Sequence, residues 1–418
     1  VEAVCGHGLD TLESLVDKSL VRQEEDARGQ PRFRMYEMLR EFTLEQLDAC
    51  GEEEAARQAH AIYFLEFAEQ AEPKLASASQ REWLDRLEAE HDNLRRALRW
   101  LLDHHQMEQA LRLSSALWEF WYARGYLGEG RRWLQEVLSA TREPLGESWA
   151  ASRAKALNGA GVLAHYQGDL SQAATLSGES LRLYRRLNDK RGIAAALHGL
   201  AIVSRSGGDY ASARAMYEEA VALLREVGDT WGTAYALFYL GTVYWLRGDY
   251  DEARRHVDEA LALAHRVGDQ QGVAMGLTVL GYIAHSQGDD STAQKLCTEA
   301  LPVVRGLRLG RQTAQVLWGL GNAALGLGDY AAARTRFEES IARFIQLGDR
   351  SFIGGCLDGL AGVAVAQGRP TWAARFLGMA DSLLQTMGAP RAISRQAEYK
   401  RNVAASHATL GEVAFAAA

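Results

Sequence analysis

The chain has 418 residues, a net charge of −8 and 24% charged side chains, a length that fits two or three ordinary domains or one long solenoid. The acidic balance excludes a general basic surface for nucleic acid, and no apolar run approaches the length of a membrane span. The four cysteines, Cys5, Cys50, Cys297 and Cys356, are widely spread and form no C-x-x-C pair, which argues against zinc or disulfide frameworks and for a reducing, cytoplasmic setting.

Residues 1–8, VEAVCGHG, have neither the basic start nor the apolar core of a signal peptide. The first residue is not Met and the pattern starts midway, so the chain is expected to be a piece of a larger protein. In LDTLESLVDKSL, Leu9, Leu12, Leu15, Val16 and Leu20 have helical spacing. VRQEEDARGQPRFRMYE alternates around Gly29-Gln30-Pro31, which predicts a small hairpin, and MLREFTLEQL returns to helix. This stretch resembles the winged-helix element of the bacterial signal-transduction ATPases with numerous domains (STAND), the group that includes MalT-like and antibiotic-regulator-like transcriptional regulators. EWLDRLEAEHDNLRRALRWLL, residues 82–102, resembles the helical segment that follows it there. LGEVAFAAA, at the far end, resembles the segment that often precedes a LuxR-type DNA-binding domain in that group. A winged helix can bind DNA, but residues 9–19 carry Asp10, Glu13 and Asp17 against Lys18, so DNA binding by this segment is not expected.

The expected organisation is a winged-helix-like segment over 1–50, a helical linker over 51–106, an irregular first helical pair over 107–150, a repeat array over 151–388 and a C-terminal capping helix over 389–418. Trp118, Trp121, Tyr122 and Trp133 are expected to pack the junction between linker and array.

The array is written in its corners. Gly168-Asp169, Gly208-Asp209, Gly248-Asp249, Gly288-Asp289 and Gly328-Asp329 lie forty residues apart, and Gly368 keeps the register. A second set falls at Gly228-Asp229, Gly268-Asp269 and Gly348-Asp349, with Asn188-Asp189 and Leu309-Gly310 as degenerate copies. Gly past a helix end takes the left-handed conformation, and Asp before a helix start caps free backbone N–H groups. Asp249 and Glu252 also fit a capping box. Such a period is the mark of a repeat array. Leu-Gly or Leu-Ala recurs midway through each first helix, at Gly241, Gly281 and Gly321 for example. Each second helix carries small, large, small residues on one face: Ala213, Tyr217, Ala220; Ala253, Val257, Ala260; Ala293, Cys297, Ala300; Ala333, Phe337, Ser340; Ala373, Leu377, Ala380. This code resembles the tetratricopeptide repeat, with a period longer than the usual one and without its terminal Pro. The resemblance implies a mainly α fold, a right-handed superhelical solenoid of helix pairs. It also puts Cys297 and Cys356 at packing positions.

No G-x-x-x-x-G-K-[ST], H-E-x-x-H or G-x-S-x-G motif occurs. An enzyme is therefore not expected, nor a cofactor or metal in this chain; in the resembled group ATP or ADP would bind an upstream domain. His104-His105 point about 100° apart on a helix and cannot readily share a metal. Glu218-Glu219 and Glu338-Glu339 read as solvated helix surface.

Taking the Leu-Gly pair as phase marker, the resemblance assigns a concave recognition groove to Asn158, His165, His198, Arg205, Phe238, Thr242, Trp245, Tyr282, His285, Trp318 and Asn322. Aromatic and Arg side chains of this kind dominate binding hot spots. The expected function is a sensor module of a multidomain STAND-type transcriptional regulator. Its groove would bind a peptide, protein or small-molecule inducer and control its own ATPase domain, away from any membrane. The alternative is a scaffold that mediates self-assembly or holds other proteins together without sensing.

Overall fold

The structure, a computed structural model, describes residues 8–25, 31–141, 147–350 and 352–417. These contain twenty-one helices and one two-stranded hairpin. At the front, α1 (Leu9–Asp17), β1 (Val21–Glu25), β2 (Pro31–Met35) and α2 (Glu37–Ala49) run helix, hairpin, helix. The strands are antiparallel, with Val21 opposite Met35 and Glu25 opposite Pro31. Cys5 and the Gly29-Gln30 turn lie outside the described residues. Helix α2 buries no side chain and leaves Met38 and Phe42 exposed.

Three linker helices follow: α3 (Glu53–Leu75), α4 (Gln80–Ala89) and α5 (His91–Asp103). They pack on a first pair, α6 (Met107–Arg124) and α7 (Leu127–Ala140). Arg112 binds Glu69 at 2.8 Å, Lys155 binds Glu72 at 2.5 Å and Arg95 binds Glu129 at 2.6 Å, which ties the linker to the start of the array.

Six regular pairs come next: α8 (Glu147–Tyr166) with α9 (Leu170–Arg186), α10 (Lys190–Ser206) with α11 (Tyr210–Glu226), and α12 (Thr230–Arg247) with α13 (Tyr250–Val267). Then come α14 (Gln270–Ser286) with α15 (Asp290–Gly306), α16 (Gly310–Gly326) with α17 (Tyr330–Gln346), and α18 (Ile353–Ala366) with α19 (Pro370–Met387). Helices α20 (Ile393–Leu410) and α21 (Glu412–Ala417) finish the chain. The whole is a helical solenoid in which each helix packs on its sequence neighbours.

The corners explain the regularity. Gly168, Gly208, Gly248, Gly288 and Gly328 all have φ between 81° and 88°. The carboxylates of Asp169, Asp189, Asp209, Asp229, Asp269, Asp289 and Asp329 each accept from the backbone N–H three residues on, at 2.9–3.1 Å. Three corners depart from expectation. Asp249 makes no side-chain cap; it pairs with Arg247 at 3.3 Å, and Glu252 turns to Arg255, so the capping box does not form. The degenerate corner is Arg308-Leu309 rather than Leu309-Gly310: Arg308 takes the left-handed φ of 55°, and Gly310 is already helical. Asp349 is drawn into the interior, where it pairs with Arg311.

The packing code holds at atomic detail. All fifteen residues of the small-large-small series are buried. A Cβ on Gly241 would meet Val257 at 2.6 Å, one on Gly281 would meet Cys297 at 2.7 Å, and one on Gly321 would meet Phe337 at 2.6 Å. Each Leu-Gly glycine is thus the notch for the large residue of its partner helix. Burial pushes the thiols of Cys297 and Cys356 up to about 12, so both are packing groups at neutral pH. On the outer surface Arg185–Glu219, Arg225–Glu259 and Arg305–Glu339 repeat one exposed inter-repeat pair; such pairs contribute little individually.

These contacts set an expectation for substitution. Gly321→Val should lower stability by about 1–3 kcal/mol through overpacking against Phe337. Gly178→Ala, in α9 with nothing within 4 Å of the new methyl, should raise it by roughly 0.5–1 kcal/mol. Urea unfolding followed by circular dichroism reads both; equal and small effects would show that the notch is not a packing constraint.

Candidate functional site

The solenoid winds so tightly that its successive turns touch. The N–H of Arg350 donates to the carbonyl of Tyr166 at 3.1 Å, Pro390 lies against Gly208, and Arg308 pairs with Asp85 of α4 at 3.8 Å. Arg311 sits at the centre of this closure. It is buried, donates to Asp349 at 2.8 Å and lies 4.1 Å over the ring of Tyr166. Burial alone would lower the pKa of its guanidinium; Tyr122, Tyr166 and Asp349 outweigh burial and raise it, so the group stays charged. The concave side is therefore a narrow lumen rather than an open groove.

Among the described residues two cavities lie in it. The larger, about 280 Å³, is bounded by the linker (Leu75, Gln80, Leu84), by α6 (Trp118, Glu119, Tyr122) and by α8, α10 and α12, with Gln271 and Gln312 reaching in from α14 and α16. The smaller, about 50 Å³, lies deeper between α12, α14 and α16.

The eleven residues assigned to the groove divide among these spaces. Asn158 and His198 line the larger cavity. Arg205, Phe238, Thr242, Trp245 and Tyr282 line the smaller. His165, His285, Trp318 and Asn322 line neither. Several are satisfied internally. His165 bonds Ser206 at 2.8 Å, Trp245 donates to Ser286 at 2.8 Å, Tyr282 donates to the Gln315 carbonyl at 2.8 Å, and His285 bonds Asp290 at 2.5 Å. Trp318 packs edge-on to Tyr282 and Phe352 beneath Arg395 of α20. Asn158, His165, Phe238, Trp245, Tyr282, Trp318 and Asn322 are all buried, so seven of the eleven residues assigned to the concave groove sit in the interior rather than on its surface. The phase marker found the inward side, but the lumen is too narrow to leave that side exposed. Alanine at Phe238, Trp245 and Trp318 would excavate the core rather than test binding alone.

Other residues fill the role. Trp121 and Trp133 are buried junction residues, as expected, whereas Trp118 and Tyr122 face the larger cavity. Trp231 and Tyr235 form a stacked pair in its wall, 5.3 Å apart at 11°. Glu119 could have been noticed as the one carboxylate in the aromatic run WEFWY; nothing local marks Gln271. His104 caps its own helix through the Trp100 carbonyl at 2.9 Å, and His105 takes a left-handed φ of 55°, so the pair ends α5. No group of three or more metal-ligating side chains occurs among the described residues.

The electrostatics of the larger cavity centre on two groups. Burial, with help from Arg205 and Arg311, brings His198 down to about 3, so it is a neutral imidazole against Tyr239. Burial pushes the carboxyl of Glu119 up to about 7, with Glu72 of α3 adding to the rise and Lys155 of α8 opposing it. Lys155 is already held by Glu72, which leaves Glu119 without an ion-pair partner of its own among the described residues.

Two outcomes follow. The Glu119 carboxyl titrates near 4.5 when unfolded and near 7 when folded, so the folded state loses stability as pH rises through that window. Glu119→Gln should leave the melting temperature unchanged below about pH 4.5 and raise it above about pH 7; a pH-independent difference would contradict the assignment. Asp349→Ala strands the Arg311 charge in the lumen and should cost about 3–5 kcal/mol in urea unfolding, whereas Arg311→Met with Asp349→Leu should cost less.

Comparison with known proteins fixes the repeat class. Residues 143–313 match the family model of the MalT-like TPR region, and residues 314–339 match a model of the tetratricopeptide repeat. Over 149 residues the chain is 36% identical to the "Putative HTH-type transcriptional regulator Rv0890c" of Mycobacterium tuberculosis, a match covering 36% of this chain and 17% of that relative. The solenoid is similar to the Rap conjugation gene regulator of plasmid pLS20, solved in complex with the Phr* peptide (TM-score 0.58, 10% identity, 78% of this chain and 95% of that one). It is also similar to a Rap protein complexed with competence and sporulation factor (TM-score 0.51, 14% identity, 70% and 78%). At these identities the structural likeness concerns the fold. No helix among the described residues is long and apolar enough to cross a membrane. Residues 143–313 are thus a tetratricopeptide-repeat region of the MalT-like kind and residues 314–339 a further tetratricopeptide repeat, a repeat module and not a catalytic domain.

Proposed function

We propose that the chain is the sensing part of a multidomain STAND-type transcriptional regulator, and that the lumen of its array recognises an inducer, a peptide or a partner protein. One observation carries this reading: the wall of the larger cavity is shared between the linker helices α3 and α4 and the third regular pair. A ligand there touches both and biases how they sit against each other. Such a ligand can shift a two-state equilibrium only through differential affinity for the two arrangements. The shift would pass through the linker to the helix-hairpin-helix segment, read here as winged-helix-like, and on to a nucleotide-binding domain of the same protein, where ATP or ADP would bind. The exposed Tyr36 at the start of α2, with Met38 and Phe42 on it, gives that segment an apolar face with which to meet it. DNA recognition would belong to a separate output domain of the LuxR type, in a cytoplasmic regulator. The two peptide-bound or factor-bound Rap proteins show that this fold class accommodates a ligand, which supports the reading by analogy alone.

The test is native mass spectrometry of the gently purified chain, before and after incubation with extract of its source cells. Hydrogen exchange then maps any adduct. The reading expects one discrete added mass, slowed exchange in both α3–α4 and α12, and loss of the adduct in Ala195→Trp, which fills the cavity. A chain that takes up no ligand but self-associates would favour the scaffold function instead.

A further inference from the structure

The larger cavity specifies its ligand more closely than its shape does. Its wall is mainly apolar and aromatic, with Trp118 and Tyr122 on α6 and the Trp231–Tyr235 stack on α12. Into this wall α6 sets Glu119, a carboxylate with no hydrogen bond or ion pair among the described residues, because the nearest cation, Lys155, is bound to Glu72 through both carboxylate oxygens at 2.5 and 2.7 Å. Gln271 adds a buried Oε1 with no hydrogen-bond partner. The charged residues lining the space are Glu119, Asp229 and Arg191. Asp229 caps α12 through the Gly232 N–H, and Arg191, two-thirds exposed at the rim, lies 3.5 Å from it. His198 adds no positive charge, since its imidazole is neutral. The cavity therefore offers unmatched acceptors and one unmatched negative charge, framed by ring faces. Ring faces attract cations, and a half-buried carboxylate with no ion pair is stabilised by one.

We propose that this cavity binds an organic ammonium ion with an apolar or aromatic body, Glu119 supplying the counter-charge and the Trp118, Tyr122, Trp231 and Tyr235 rings enclosing the body. The inference rests on the sensing reading given above and names the ligand class for it. It also accounts for a carboxylate that the packing of α6 does not use. A charge-assisted hydrogen bond in such a site is worth roughly tenfold to a hundredfold in affinity.

Calorimetric titration at about pH 8 with three probes of one size tests it, Glu119 being ionised there. The probes are 2-phenylethylammonium, neutral 2-phenylethanol and anionic phenylacetate. The expected result is saturable binding of the ammonium, at least about tenfold weaker binding of the alcohol and none of the acid. Glu119→Gln should weaken the ammonium by about tenfold to a hundredfold and leave the alcohol unchanged, while remaining folded by circular dichroism. Equal binding of ammonium and alcohol, insensitivity to Glu119→Gln, or binding of none of the three would overturn the proposal. A natural ligand captured from cell extract that proves neutral or anionic, and that Ala195→Trp excludes, would overturn the charge assignment and leave the sensing reading intact. Absence of any natural ligand would instead remove the reading on which the proposal rests.

Discussion

Everything in this fold depends on how the chain reverses between helices. A left-handed residue closes one helix, and in most corners the next residue, an aspartate, opens the following one. The reversal occupies so few residues that the two helices have no freedom in register. That fixed register puts the Leu-Gly notch of one helix opposite the large residue of the next, as Gly321 lies opposite Phe337 and Gly281 opposite Cys297. Asn188 and Arg308 show that the backbone conformation matters more than the residue that adopts it, since both hold a left-handed φ without being glycine. Asn visits that region readily; Arg does so under strain, which the surrounding packing sustains.

Small errors in register would accumulate along such an array, and uniform corners prevent that. The solenoid comes round upon itself, bringing α16 beside α6 and α20 beside α12. Where the turns meet, the lumen is lined by polar and aromatic groups in place of an aliphatic core. Arg311 is the clearest case. A lone guanidinium there would be intolerable; with Asp349 and the Tyr166 ring it is held. Asp349, which stands at a corner position of the repeat, fills this role.

Much of this was legible in the sequence, for a physical reason. Corners and notches are local and periodic, so glycine, aspartate and the small-large-small code reveal them directly. The inward side was legible for the same reason: seven of the eleven assigned residues line one cavity or the other. What local pattern could not reveal is how far the superhelix closes. That depends on small rotations summed over several pairs, and it decides whether Trp318 or Phe238 faces solvent or neighbours. Glu119 and Gln271 were missed because their setting is made by segments far apart in the chain. Arg308 was missed by one residue because the corner there lacks both glycine and aspartate.

The closure also changes what kind of object the array is. An open solenoid behaves like a row of dominoes, each repeat sensing only its neighbours, with free energies that nearly add. Contacts such as Arg311 with Tyr166 and Arg308 with Asp85 join repeats well separated along the row and convert it into something closer to a ring. In a ring, strain has no free end at which to dissipate. Loosening one pair changes the fit of a pair several units away, and excision of a single forty-residue unit would misalign the whole seam. Such a body transmits a local disturbance by geometry alone, without any dedicated pathway of residues.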